Sequence, residues 1–110
     1  MDYSQLSDGE LSVKLAHYLK PKYRAEIHPL DASAAQLSWN LWNVWQTTGY
    51  YPLRDAEHLF PVMKKHKIAL VPAGKTVWAA WIDPGEVAKH RNPLRAVAII
   101  YLNMMDAKHA

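Results

Sequence analysis

The 110 residues contain no cysteine. That absence removes disulfides, thiolate zinc sites and thiol nucleophiles together, and it fits a reducing compartment. Glycine is scarce, at four residues, and none falls in the clustered spacing that cradles phosphates. Nucleotide sites of the P-loop and Rossmann types are therefore excluded. There is no G-x-S-x-G elbow, and the serines sit at caps and turns where backbone hydrogen bonding accounts for them. A long apolar run is also missing. The longest, Ala96 to Leu102, is far short of the roughly 20 residues that a membrane-spanning helix needs. The polar opening Met1-Asp2-Tyr3-Ser4-Gln5 lacks the basic-then-apolar pattern of a secretory signal. A cytoplasmic protein with no membrane partner is expected.

What is present describes an ordinary globular chain. Half of the residues (50%) are hydrophobic and 21% are charged, which is the balance of a folded domain rather than a disordered one. The length fits one domain, and a chain of this size buries roughly two-thirds of its unfolded surface without metal or disulfide staples. The net charge of +3 permits an acidic partner without requiring one.

The first helix announces its start. Ser7 and Glu10 form a capping box, with Leu6 and Leu11 placed as a hydrophobic staple. Leu11, Leu15, Tyr18 and Leu19 then share a face, and Lys20-Pro21 stops the helix. Tyr23 to His28 alternates as a short strand ended by Pro29. Ser33 to Gly49 carries two periods. Leu37, Leu41, Val44 and Trp45 line a helical face, whereas Leu37, Trp39 and Leu41 alternate as a strand would. The helical reading is preferred and the strand reading stays open. Asp55 opens a helix that Pro61 must kink or delay. Ile68 to Val71 and Thr76 to Ile82 read as a hairpin, and residues 83 to 91 as a polar loop. Asn92-Pro93 opens the last helix. Its apolar arc is wide, so it is either central to the fold or has an outer face that meets a partner. The expected fold is a single α+β domain, residues 1–110, with a small antiparallel sheet packed against about three helices.

No chemistry is spelled out. The six histidines, His17, His28, His58, His66, His90 and His109, show no i, i+4 pair, so no metal is expected. The neighbouring carboxylates Asp55 with Glu57 and Asp83 with Glu86 fall at a helix start and in a loop, where acidic residues serve the helix dipole or face water. No cofactor and no catalytic residue is assigned, and an enzyme is not expected.

Two surface features remain. Lys64, Lys65 and Lys67 end one helix, while Arg91 and Arg95 flank the start of the last, where free N–H groups favour an anion. With aromatic side chains to stack on bases, these five cations make nucleic-acid binding the alternative function. Trp39, Trp42 and Trp45 form the other feature. Neither a helix nor a strand turns all three inward, so at least one should be exposed or covered by a second chain. Exposed tryptophan is characteristic of interface hot spots.

Three stretches also resemble the NinX-like phage and prophage proteins, a family of unknown function. Met1-Asp2-Tyr3-Ser4-Gln5-Leu6-Ser7-Asp8-Gly9-Glu10-Leu11 is similar to the family's opening. Asp55-Ala56-Glu57-His58-Leu59-Phe60-Pro61-Val62-Met63, followed by His66-Lys67-Ile68-Ala69-Leu70, resembles its central helix and strand. Asn92-Pro93-Leu94-Arg95-Ala96-Val97-Ala98-Ile99-Ile100-Tyr101-Leu102 resembles its closing helix. Gly9 departs from the pattern, since a larger residue is usual there, as does Leu59-Phe60 where Ala-Trp is common. The resemblance implies a phage accessory protein in the bacterial host cytoplasm and brings no catalytic residue. The combined expectation is a binding protein whose partner is a host protein or its own copy, through Trp39, Trp42 and Trp45 and the outer face of the last helix.

Overall fold

A computed structural model describes residues 2–82, 85 and 87–109. The Asp83–Glu86 pair lies outside them. After a 3-10 turn over Tyr3–Gln5 come α1 (Asp8–Leu19), β1 (Arg24–His28), β2 (Asp31–Leu41) and β3 (Val44–Tyr50). Then follow α2 (Ala56–His66), β4 (Ala69–Pro72), β5 (Trp78–Trp81), β6 (Val87–His90) and α3 (Pro93–His109). The class is α+β, and every strand pairing is antiparallel. The strands divide into two sheets, β1-β2-β3 and β4-β5-β6.

The helix starts follow the sequence. The Ser7 hydroxyl accepts from the Glu10 N–H at 3.1 Å and the Glu10 carboxylate accepts from the Ser7 N–H at 3.0 Å, which completes the capping box. Leu11 and Leu15 are fully buried, each contributing roughly 1.5–3 kcal/mol. Asn92 caps α3, its side-chain oxygen accepting from the Leu94 N–H at 2.9 Å. Helix α2 begins before Pro61 and includes it, from a cap at Asp55 whose side chain makes no capping hydrogen bond. Among the described residues no helix is long and apolar enough to cross a membrane.

Three expectations need correction. Ser33 to Gly49 is not helical but belongs to a β2–β3 hairpin, turned by Trp42 and Asn43 at φ 54° and 66°. Two consecutive positive φ values define a tight primed turn. Asn40 steadies it, its side-chain oxygen accepting the Asn43 N–H at 3.0 Å. The helical period arose because the inward positions of two strands joined by a two-residue turn also recur at spacings of three and four. Secondly, residues 83 to 91 are not all loop, since Val87–His90 pairs with β5 as a third strand. Thirdly, α3 has no free outer face over its middle. Every residue from Arg95 to Leu102 is buried, because α3 lies among β5, β6, α1, α2 and the N-terminal turn.

One continuous core links both layers. Helix α1 covers the first sheet and α3 covers the second, with Leu11, Leu15, Leu37, Tyr50, Leu59 and Ile100 among the buried side chains. Gly9 explains its own departure from the resemblance. A Cβ there would lie 2.2 Å from the Ala32 carbonyl oxygen, so α1 sits too close to β2 for any side chain.

Candidate interaction site

Length alone makes the first sheet overhang its helix. At about 3.3 Å per residue, the 11 residues of β2 span roughly 36 Å, whereas the 12 residues of α1 span roughly 18 Å. Burial follows this mismatch. Ala34, Ala35 and Leu37 are buried, Trp39 is half-buried, and Leu41 is exposed. On β3 only Tyr50, at the base, is buried. The distal half of the hairpin is therefore an arm projecting past the core.

The register fixes which side each residue takes. Ala25 and Ile27 pair with Leu37 and Ala35, and Leu37 and Leu41 pair with Thr48 and Val44, so these residues share the face that α1 covers at the base. Trp39 shares it and packs edge-on against Tyr23, their ring centroids 5.4 Å apart. Trp45 pairs with Asn40 and takes the opposite face, where it borders a shallow groove with Arg24, Glu26, Ser38 and Thr47. Trp42 stands at the tip and is 91% exposed. The three tryptophans thus occupy two faces and the end of one arm rather than a common plane. Leu41 (51% exposed) and Val44 (58%) complete the apolar tip.

The arm carries no charge. From Ala32 to Leu53 the sequence has no Asp, Glu, Lys, Arg or His. An ion pair brackets this stretch, Arg54 meeting Asp31 at 2.8 Å. At the base, the Tyr51 ring crosses the outer face, with the Arg54 guanidinium 4.3 Å from its centre. That is why residue 49 is glycine, since a Cβ would meet the Tyr51 hydroxyl at 2.5 Å. The neutral stretch is a signal in the sequence that composition averaged over the whole chain conceals.

The five candidate cations do not form one patch. Arg95 is only 6% exposed and is spent inside the fold. Its guanidinium meets Asp8 at 2.7 Å and donates to the carbonyls of Ser4, at 3.1 Å, and Leu6. It ties the start of α3 to the start of α1, which corrects its assignment as an anion ligand. Arg91 is exposed beside His90, whose imidazole is held below its ordinary pKa by burial and by Arg95 and Arg91. His90 Nδ1 accepts the Asn92 N–H at 2.9 Å. Lys64, Lys65 and Lys67 lie at the other end of α2, where lysines complement the helix dipole. Lys65 and Lys108 border a groove with His66 and Tyr101. His66 is likewise held below its ordinary pKa, by burial and then by those two lysines. About 25 Å of α3 separates Lys108 from Arg91.

Elsewhere, Asp55, Glu57 and His58 bring one ligand atom each within 4.8 Å of one another. They sit exposed or half-exposed at the start of α2, where the helix dipole favours carboxylates. Tyr3 and Tyr18 both donate to Asp106, Tyr18 at 3.1 Å. The two bonds hold the Asp106 carboxyl below the usual range, the Tyr3 bond being the larger cause. These tyrosines join the N-terminal turn and α1 to the end of α3. Burial pushes the Tyr50 phenol up to about 12, in the core.

Compared with known proteins, the chain matches no family model, no curated protein and no solved structure. The resemblance to the NinX-like proteins therefore rests on the residue stretches that carry it.

Proposed function

We propose that this protein acts by binding another protein, a host factor or a second copy of itself, through the β2–β3 arm, and that it is not an enzyme. The observation that carries the reading is Trp42. A bulky side chain at positive φ strains the backbone by roughly 1–2 kcal/mol, and asparagine or glycine would relieve it. At 91% exposure the ring returns almost no burial energy to the fold. A residue that folding disfavours and packing does not use is best accounted for by a partner, and tryptophan leads the residues that dominate interfaces. The resemblance to phage accessory proteins supports a bacterial host's cytoplasm as the setting of this binding.

Neutrality favours protein over nucleic acid as the partner of the arm. Nucleic-acid binding draws most of its affinity from phosphate contacts, and the arm has no cation to offer. The alternative reading, nucleic-acid binding, uses a different place: the lysines around His66, joined by Lys108, with Arg91 apart from them.

The test is capture from bacterial lysate, with and without nuclease, by the wild type, Trp42→Asn and Lys64→Ala/Lys65→Ala. The protein reading expects Trp42→Asn to lose the captured partner, with little dependence on salt. Capture that survives Trp42→Asn, but fails with nuclease or with the lysine variant, would overturn it in favour of nucleic acid.

A further inference from the structure

Among the described residues, β1 and β3 are the outer strands of the first sheet and β4 and β6 those of the second. An open edge is a row of free N–H and C=O groups, which folded proteins blunt with charge, proline, irregularity or short length. β1 carries Arg24 and Glu26, shifts register between Ile27 and His28, and is followed by Pro29. β4 has four residues and ends on Pro72. β6 has four and holds Lys89. β3 has none of these devices. Its seven residues include no charge and no proline, and they pair with β2 without a break in register.

The turn determines which backbone groups on β3 are free. A two-residue turn is closed by a bond between its flanking residues, here Leu41 and Val44. Val44, Gln46, Thr48 and Tyr50 therefore direct their backbone groups toward β2, while Trp45, Thr47 and Gly49 direct theirs away. That free set is self-complementary. A second copy laid antiparallel, with Thr47 against Thr47, sets each Trp45 opposite a Gly49 and satisfies all of these groups at once.

The geometry points to a two-fold dimer in which the β3 edges of two copies pair about Thr47, joining two three-stranded sheets into one of six strands. This deepens the reading of the arm as the binding element and rests on it. Charge complements the pairing, because two copies of a +3 chain meet along a stretch with no like charges to oppose. Exposed apolar area is also at hand. Leu41, Trp42, Val44 and Trp45 together expose on the order of 500 Å² of side chain. With the strand edge itself, this approaches the roughly 800 Å² per partner of a stable interface.

The test uses the full chain. Sedimentation velocity should give twice the 12.6 kDa chain mass. Thr47→Lys, which sets two ammonium groups at the axis, should raise the dissociation constant roughly a hundredfold with the far-UV circular dichroism unchanged. A second measurement needs no variant. The amides of Trp45, Thr47 and Gly49 should exchange slowly in the dimer and faster on dilution, since among the described residues of one copy they have no strand to pair with. A wild type that is monomeric at about 100 μM, the weak end of specific association, overturns the pairing. So does a dimer with fast exchange at Thr47, or one that a folded Thr47→Lys leaves intact. The parent reading fails separately, through capture of the same protein partners by Trp42→Asn.

Discussion

Replacing Trp42 with asparagine should make the protein more stable while weakening its binding. Trp42 stands at φ 54°, where an ordinary side chain is strained by about 1–2 kcal/mol and asparagine by less, because its short polar group bonds locally. Against this gain stands the burial lost. With the residue 91% exposed, about a tenth of a ring presenting roughly 200–250 Å² is covered, worth about 0.5 kcal/mol. The net change is a gain of about 0.5–1.5 kcal/mol, or a rise in Tm of roughly 2–8 °C. Urea unfolding followed by far-UV circular dichroism measures it as a higher midpoint with an unchanged slope. Trp42→Ala serves as the control, since it removes the same ring but keeps the strained backbone, and it should stay within about 0.5 kcal/mol of wild type. If Trp42→Asn destabilises by a kilocalorie or more, the ring is packed in solution and the case for a tip shaped by binding collapses.

Other outcomes follow from the contacts inside the body. Arg95→Ala leaves the Ser4 and Leu6 carbonyls without their buried donor and should destabilise by about 2–4 kcal/mol in urea melts. Arg95→Lys should restore only part of that, lacking the planar fork. Gly9→Ala sets helix propensity, a gain of roughly 1 kcal/mol, against a contact 2.2 Å from backbone. The contact wins, and the melt should show a net loss of about 1–3 kcal/mol. For Asp106, the folded pKa lies below the unfolded one. Its bonds from Tyr3 and Tyr18 therefore stabilise above the unfolded value of about 3.9, and that stability is lost as pH falls through the folded value. Asp106→Asn should be less stable than wild type at neutral pH, with the gap narrowing in acid. A constant gap across that range would refute the assignment.

Elements with their own start signals were legible in the sequence. The Ser7–Glu10 box and Asn92-Pro93 each satisfy free N–H groups locally, so residues within one turn decide them. The β2–β3 hairpin was not, because its turn is Trp42-Asn43 rather than the asparagine-glycine pair that such turns favour. β6 was missed because Lys89 and His90 make it polar, and its strand character comes only from pairing with β5. Arg95 showed the opposite failure. An arginine in the first turn of a helix, at the wrong end for the dipole, resembles an anion ligand until its acceptors, Ser4, Leu6 and Asp8, arrive from 87 to 91 residues away. No local pattern carries that information.

The arm and the body differ in what holds them. Residues at the ends of the chain are bound into the core: Tyr3 and Tyr18 meet Asp106, and Arg95 gathers the turn before α1. The arm's distal half is held by ladder bonds between β2 and β3 and by Tyr23 against Trp39. Two-stranded ribbons are marginal by themselves, so this half should open locally at a lower free energy than the body, as its exchange rates would show. A partner strand added along β3 would supply a ladder on its open side and cover the apolar tip at once. The neutral edge and the strained tryptophan are both liabilities in a free monomer. A partner covering the arm, as proposed, would remove both.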